Sequence, residues 1–180
     1  ILNDTICCGA DSESGGIGPG TEYIELAIAD PDGVALFDSL IRPTELMGGI
    51  EAGATGVHGI TNVMVAGAPT LLESISQINA ALSTRSCVLF YNSKFDIRVG
   101  EQSCYAAGCA NIVWPPVIDI MIPISQWCGD WNRHQSGYRF PKLEGGHRAL
   151  GDVREMFSVM RLMASSDLEY AQNLKGTAAA

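Results

Sequence analysis

With 180 residues, 47% of them hydrophobic and 17% charged, the chain can close one domain around a real core, and it is too apolar to be disordered or fibrous. Eleven Lys and Arg against 20 Asp and Glu give a net charge of −9, which excludes a protein that clings to nucleic acid through bulk positive charge. No apolar run approaches the ~18–20 residues of a membrane span, and nothing resembles a secretion signal.

The charge is unevenly spread. Residues 1–75 carry eleven acids and one base, Arg42, for −10, whereas residues 76–180 carry nine acids and ten bases, for +1. Screening confines surface fields to about 8 Å at physiological salt, so local clusters outweigh the total. Six cysteines, at 7, 8, 87, 104, 109 and 128, form no CxxC pair and no Cys/His ligand spacing. Most lie in apolar runs, as reduced cysteines of a cytoplasmic protein do.

In chain order, TICCGA at 5–10 reads as a short buried strand ending at Asp11, and SGGIGPGT as a turn-forming stretch. YIELAIAD and VALFDSLI read as two further strands paired antiparallel across a tight PDG turn. Residues 43–69 are mixed and Gly-rich, a loop with a short helical turn. TLLESISQINAAL carries apolar residues at helical spacing behind Thr70 as N-cap. SCVLFY suits a strand covered on both faces. Residues 94–108 read as a helix stopped by Gly108, and VIDIMIPI as a strand leading into a helix or loop. The segment from Cys128 to Gly146 is polar, aromatic and basic, without period. A last helix starts at Arg148, and the terminal GTAAA reads as a frayed end. The order β-β-β-α-β-α-β-α predicts one α/β domain over residues 1–166, with a tail at 167–180.

Chemistry concentrates in three blocks. Asp11 and Glu13 in ADSES lie two apart beside an apolar strand, where alternation sends both carboxylates to one face within reach of one hard cation. Alone, such a pair also reads as a solvated turn. Asp96 in YNSKFD falls at the start of a predicted helix, where an acid can serve simply as a dipole partner. His147 and Asp152 in GGHRALGD bracket the start of the last helix. An imidazole on a Gly-Gly loop suits proton acceptance near neutrality, while Asp152 could equally pair with Arg148 or Arg154. Four carboxylates and one imidazole together form a set able to hold two divalent cations and activate a water beside a phosphodiester.

These blocks, in this order, resemble the DEDDh branch of the DnaQ-like 3′–5′ exonucleases. The family's DTETTG block is similar to DSESGG here, its A-x-x-x-HGIT stretch to ATGVHGIT at 54–61, its H/Y-N-A-x-FD block to YNSKFD, and its HRALxDA block to HRALGDV. The similarity runs from about residue 5 to 164. It implies an RNase H-like α/β fold, a five-stranded mixed β-sheet flanked by α-helices. It further implies that Asp11, Glu13, Asp96 and Asp152 bind two Mg²⁺ ions, with Mn²⁺ able to substitute, and that His147 is the general base. By the same resemblance His58, Asn92 and the backbone at Ser14 and Gly15 line the site of the terminal nucleotide, with Phe95 packing beneath it. Charge clustering adds Arg133, Arg139, Lys142 and Arg148 as candidate phosphate contacts.

The chain departs from the family before His147, where FPKLEGGHRAL reaches the histidine as if about ten residues were missing. The groove wall there is expected to be absent or differently built. Three readings follow: release of nucleoside 5′-monophosphates from single-stranded DNA 3′ ends, alone or beside a polymerase or another nucleic-acid-processing protein; trimming of RNA 3′ ends by the same chemistry; or a binding module that keeps the fold with little turnover.

Overall fold

The computed structural model describes residues 6–134 and 136–166; the expected tail from 167 lies outside them. Strands β1 (Cys7–Ser14), β2 (Tyr23–Ala29) and β3 (Ala35–Leu40) form an antiparallel meander. On the other side of β1, β4 (Cys87–Phe90) and β5 (Val117–Asp119) add in parallel, giving the order β3-β2-β1-β4-β5. This is the expected five-stranded mixed sheet. The β2–β3 turn closes because Asp30 Oδ1 accepts from the N–H groups of Asp32 (3.0 Å) and Val34 (2.9 Å).

The segment expected as loop at 43–69 is more ordered than its sequence suggests. It holds a 3₁₀ turn (Glu45–Met47) and two short helices, α1 (Ala52–His58) and α2 (Asn62–Val65). Two glycines and a single large apolar side chain in AGATGVH hide the helical period. Helix α3 (Leu71–Leu82) starts as predicted, with Thr70 and Glu73 forming a reciprocal capping box. Helix α4 (Ser93–Ala107) stops at Gly108, whose φ of 64° permits the left-handed cap.

Strand parity decides what each layer sees. Cys8 and Ala10 of β1 pack into the core formed with α3 and α4, through Ile78, Leu82, Val99 and Cys104. The opposite face of β1 meets α5 (Met121–Cys128) and α6 (Ala149–Ala164), in a second core built on Ile124, Val153, Met156 and Phe157. Ile124 and Phe157 are fully buried, each contributing roughly 1.5–3 kcal/mol by area. All seven residues of β2 are buried, as a strand covered by both layers must be.

Strand β1 runs on to Ser14 rather than ending at Asp11. Asp11 and Glu13 therefore lie inside the strand, opposite Ala27 and Glu25 of β2. The aperiodic stretch before His147 contains a small hairpin of two two-residue strands, β6 (Trp131–Asn132) and β7 (Gly137–Tyr138), too short to leave a period in sequence. From there the chain reaches α6 directly, laying Gly145 on the first turn of that helix. A Cβ on Gly145 would stand 2.0 Å from Asp152 Oδ1 and 2.5 Å from Asp152 Cα, and one on Gly151 would stand 2.3 Å from the Gly145 carbonyl oxygen. This close seating fixes where the chain stands as it reaches the helix start. Gly145→Ala is expected to displace Asp152 at a cost of about 1–3 kcal/mol; urea unfolding checks this, and unchanged stability would refute the steric reading.

None of the six cysteines forms a disulfide among the described residues, and no helix among them is long and apolar enough to cross a membrane.

Candidate active site

Parity also assembles the site. Asp11 and Glu13 share the β1 face that looks toward α6, and Asp152 lies in the first turn of that helix. One carboxylate oxygen from each of the three falls within 4.8 Å of the others, a compact set of hard oxygen donors suited to a divalent cation. The cluster stands at the C-terminal end of β1, where ligands of sheets with parallel strands usually bind. Neither arginine considered as an alternative partner for Asp152 pairs with it: Arg148 bonds Glu25, and Arg154 Nε donates to the Gly33 carbonyl.

Asp96 sits apart from these three. It comes from α4, in the opposite layer, and meets the intervening residue of the D-x-E triplet. Its Oδ1 accepts from Ser12 N (3.1 Å) and Ser12 Oγ (2.7 Å), and Tyr23 Oη donates to its carbonyl oxygen. It remains close enough to Asp11 to raise that residue's pKa. Ser12 and Tyr23, neither expected at the site, are thus what fixes the fourth carboxylate.

Crowding leaves its mark on all four acids. Burial and then the charges of Asp96, Asp152, Glu13 and Glu25 push Asp11 well above the usual carboxylate range. Burial first, with Asp152 and Glu25 next, raises Glu13 to about 8. Asp96 rises to about 7 through burial, against the hydrogen bonds from Ser12. Asp152 reaches about 6 through burial, held down by the charge and backbone N–H of His147. Carboxylates so strongly disfavoured as anions are groups for which a bound cation relieves the cost.

A fifth acid anchors the arrangement. Glu25 of β2, buried at 3% exposure, accepts from Arg148 Nε at 3.0 and 3.1 Å, from Arg148 Nη2 at 2.5 Å and from Ala149 N at 2.9 Å. Arg148 is the N-cap of α6 and makes no side-chain cap bond, so Glu25 supplies the acceptor that the helix start lacks. The guanidinium expected as a phosphate contact is therefore turned to Glu25, and its first role is to clamp α6 against the sheet. Sequence reasoning missed Glu25 because the E of YIELAIAD looks like any strand acid; its place opposite Glu13 appears only with the β1–β2 register in hand.

His147, exposed and at φ 52°, shares a cleft of about 280 Å³ with Asp11 and Asp152. The rest of that cleft is Tyr91, Phe140, Pro141, Lys142, Leu143, Val153 and Met156. Tyr91 Oη donates to the Pro141 carbonyl and ties the strap 139–146 to the end of β4. Asn92 adopts φ 73° at the start of α4, a left-handed conformation for a non-glycine residue at a site. Ser93, beside it, donates from N and Oγ to Asp119 Oδ2, both at 2.9 Å.

Of the residues expected around a terminal nucleotide, Ser14, Gly15 and His58 are buried and none of them lines that cleft. Ser14 Oγ donates to Gly16 O, Gly15 N to Glu22 O, and Gly15 O accepts from Glu51 N. His58, at the end of α1, is buried; its Nδ1 accepts from Ile60 N, and its Nε2 completes no hydrogen bond among the described residues. Burial is the largest influence on its pKa and lowers it. Phe95 is half-buried against the α3–α4 core with Arg98 over its ring at 5.2 Å, as expected of a packing residue. Of the other basic candidates, Arg139 is paired to Asp130 at 3.0 Å, Lys142 lines the cleft and Arg133 is exposed.

An acidic cluster at the C-terminal edge of this mixed sheet, with a helix-borne carboxylate beside it, is suited to metal-assisted chemistry on a phosphodiester. Comparison with known proteins agrees. The chain belongs to the exonuclease family RNase_T, a DnaQ-like family, whose sequence model matches residues 9–160. It is 29% identical over 171 residues to an uncharacterized exonuclease, CP81, of Escherichia phage 186, covering 86% of each chain. Among solved structures it is similar in fold to E. coli exonuclease I in complex with a dA16 oligonucleotide, with a TM-score of 0.70 at 16% identity over 93% of this chain; it spans 42% of that longer one. Exonuclease X in complex with 5′ overhanging duplex DNA gives 0.59 at 22% identity, covering 94% of this chain and 99% of that one. A 3′-exonuclease that recognises the histone mRNA stem-loop gives 0.60 at 14% identity, covering 90% and 64%.

Proposed function

We propose that this exonuclease is of the DEDDh type and hydrolyses the last phosphodiester of single-stranded DNA from the 3′ end, releasing nucleoside 5′-monophosphates. The observation that carries the reading is the convergence of Asp11, Glu13 and Asp152 within 4.8 Å, with Asp11 and Asp152 lining a cleft that also holds His147. The donor set fits hard divalent ions: all ligand atoms are oxygens, and the carboxylates are crowded without a cation of their own. Asp11, Glu13 and Asp152 would hold Mg²⁺ or Mn²⁺, with Asp96 beside Asp11 contributing toward a second ion. Bound there, the ions supply charge neutralisation and Lewis acidity at the scissile phosphate.

The chain's own residues do the rest. His147 accepts the proton of the attacking water at its imidazole, and its exposure at the cleft mouth lets it return that proton to solvent. Tyr91, Phe140, Pro141, Leu143, Val153 and Met156 give the cleft apolar walls that exclude bulk water and strengthen each charge interaction inside it. His58, with its unsatisfied Nε2, together with Ser14, Gly15 and Asn92, receives the terminal nucleotide; Arg133 and Lys142 meet phosphates beyond it. Backbone contacts of this kind make cleavage largely independent of internal sequence.

A 5′-labelled oligonucleotide incubated with Mg²⁺ should yield a one-nucleotide ladder shrinking from its 3′ end, abolished by EDTA. Absence of any ladder, with binding retained, would leave a binding module instead. The fold likeness to a histone mRNA exonuclease keeps an RNA reading in play, so matched DNA and RNA strands belong in the same assay. His147→Ala is expected to lower kcat by about 10²–10⁴ with little change in cation affinity; full activity at pH 8 in that variant would remove the general-base role.

A further inference from the structure

We propose that the β6–β7 hairpin and Phe140 form a stacking arm that grips the single-stranded nucleotides preceding the terminal one. The inference rests on the exonuclease reading for its substrate, and on separate observations for its place. Trp131 and Tyr138 are cross-strand partners whose rings meet edge to face at 5.0 Å, yet they remain 50% and 37% exposed, and Phe140 beside them is 48% exposed. Three large aromatic rings standing in water on a hairpin with two-residue strands bring little core burial. An isolated hairpin of that size is marginal at best. Here it is held at its base, where Arg139 N donates to the Asp130 carbonyl and the Arg139 guanidinium pairs with the Asp130 carboxylate at 3.0 Å.

Charge and position name the occupant. Residues 131–143 carry three bases, Arg133, Arg139 and Lys142, and no acid, in a chain of net charge −9. Phe140, Pro141 and Lys142 line the same cleft as Asp11, His147 and Asp152, so the aromatic surface is continuous with the site where the strand would end. Exposed ring faces interleaved with cations complement bases and phosphates, and only a single strand presents free base faces.

Binding tests the arm without requiring cleavage. Anisotropy of labelled oligothymidylate and oligouridylate, from two to twelve nucleotides in EDTA, should show affinity rising with length over roughly the first six nucleotides. Trp131→Ala should remove about tenfold of that gain, and Trp131→Tyr should restore most of it. Arg133→Glu, on an exposed turn and outside any packing, should weaken all lengths beyond the dinucleotide and lower the salt slope by about one. The two oligomer series separate DNA from RNA preference. A length gain preserved in Trp131→Ala, or absent from the unaltered protein, overturns the arm. A length gain without any cleavage ladder in Mg²⁺ would sink the exonuclease mechanism and leave the arm standing.

Discussion

Asp11→Asn is expected to abolish turnover and at the same time raise the melting temperature of the metal-free protein at pH 8. Asp11 is surrounded by Asp96, Asp152, Glu13 and Glu25, and its ionised form is disfavoured by burial and by each of those charges. The amide keeps its shape and removes one anion from the crowd. Turnover should drop by about a thousandfold or more, the scale seen when charge-stabilising groups leave a dry site. The sign of the stability effect follows from linkage. A carboxylate whose folded pKa lies above its unfolded value costs nothing below pH ~4, and its cost grows as pH rises through the folded value. With Glu13 at about 8, Asp96 at about 7 and Asp152 at about 6, metal-free stability should fall between pH 5 and pH 8. Mg²⁺ should reverse that loss at pH 8, by ~2.7 kcal/mol at a hundredfold excess over Kd, or roughly 5–10 °C in Tm. Scanning calorimetry at the two pH values, with and without Mg²⁺, checks every part. A metal-free Tm that climbs toward pH 8 would show that these acids are not mutually strained.

Arg148→Ala should destabilise the protein more than any other change to an exposed side chain. It leaves Glu25 buried among Asp11, Glu13, Asp38 and Asp152, with only the Ala149 N–H as partner. Removing one member of a buried pair costs ~3–5 kcal/mol; with the guanidinium side of this pair 49% exposed, about 2–4 kcal/mol is expected. The double variant Glu25→Gln/Arg148→Met should recover much of that loss while keeping α6 in place. Urea unfolding of both single variants and the double measures the coupling. If Arg148→Ala costs less than about 0.5 kcal/mol, the range of ordinary surface changes, the clamp is decorative.

The sequence made the sheet readable because each strand is an apolar run bounded by turn residues, and α3 readable because Thr70 and Glu73 announce its start. Of the two short helices between residues 52 and 65, α1 was hidden by its glycines and scarcity of large apolar side chains, and α2 by a length of four residues, too short to show a period. At the site, D-x-E spacing on a strand foretold that Asp11 and Glu13 would share a face, whereas the expectation that Asp152 joins them came from the family resemblance and not from its place in a helical turn. What spacing does not carry is the partner of each group. That Ser12 faces the opposite layer and there holds Asp96 follows from parity only once the layers are known. That Arg148 turns to Glu25 rather than to substrate depends on a register between β1 and β2 that no local pattern declares.

The three carboxylates of the cluster lie far apart in sequence, two on β1 and one on α6, and Glu25 of β2 holds α6 against the sheet through Arg148. Loosening that one clamp is therefore expected to scatter the cluster before the sheet itself unfolds, a local opening that hydrogen exchange at the α6 amides would reveal.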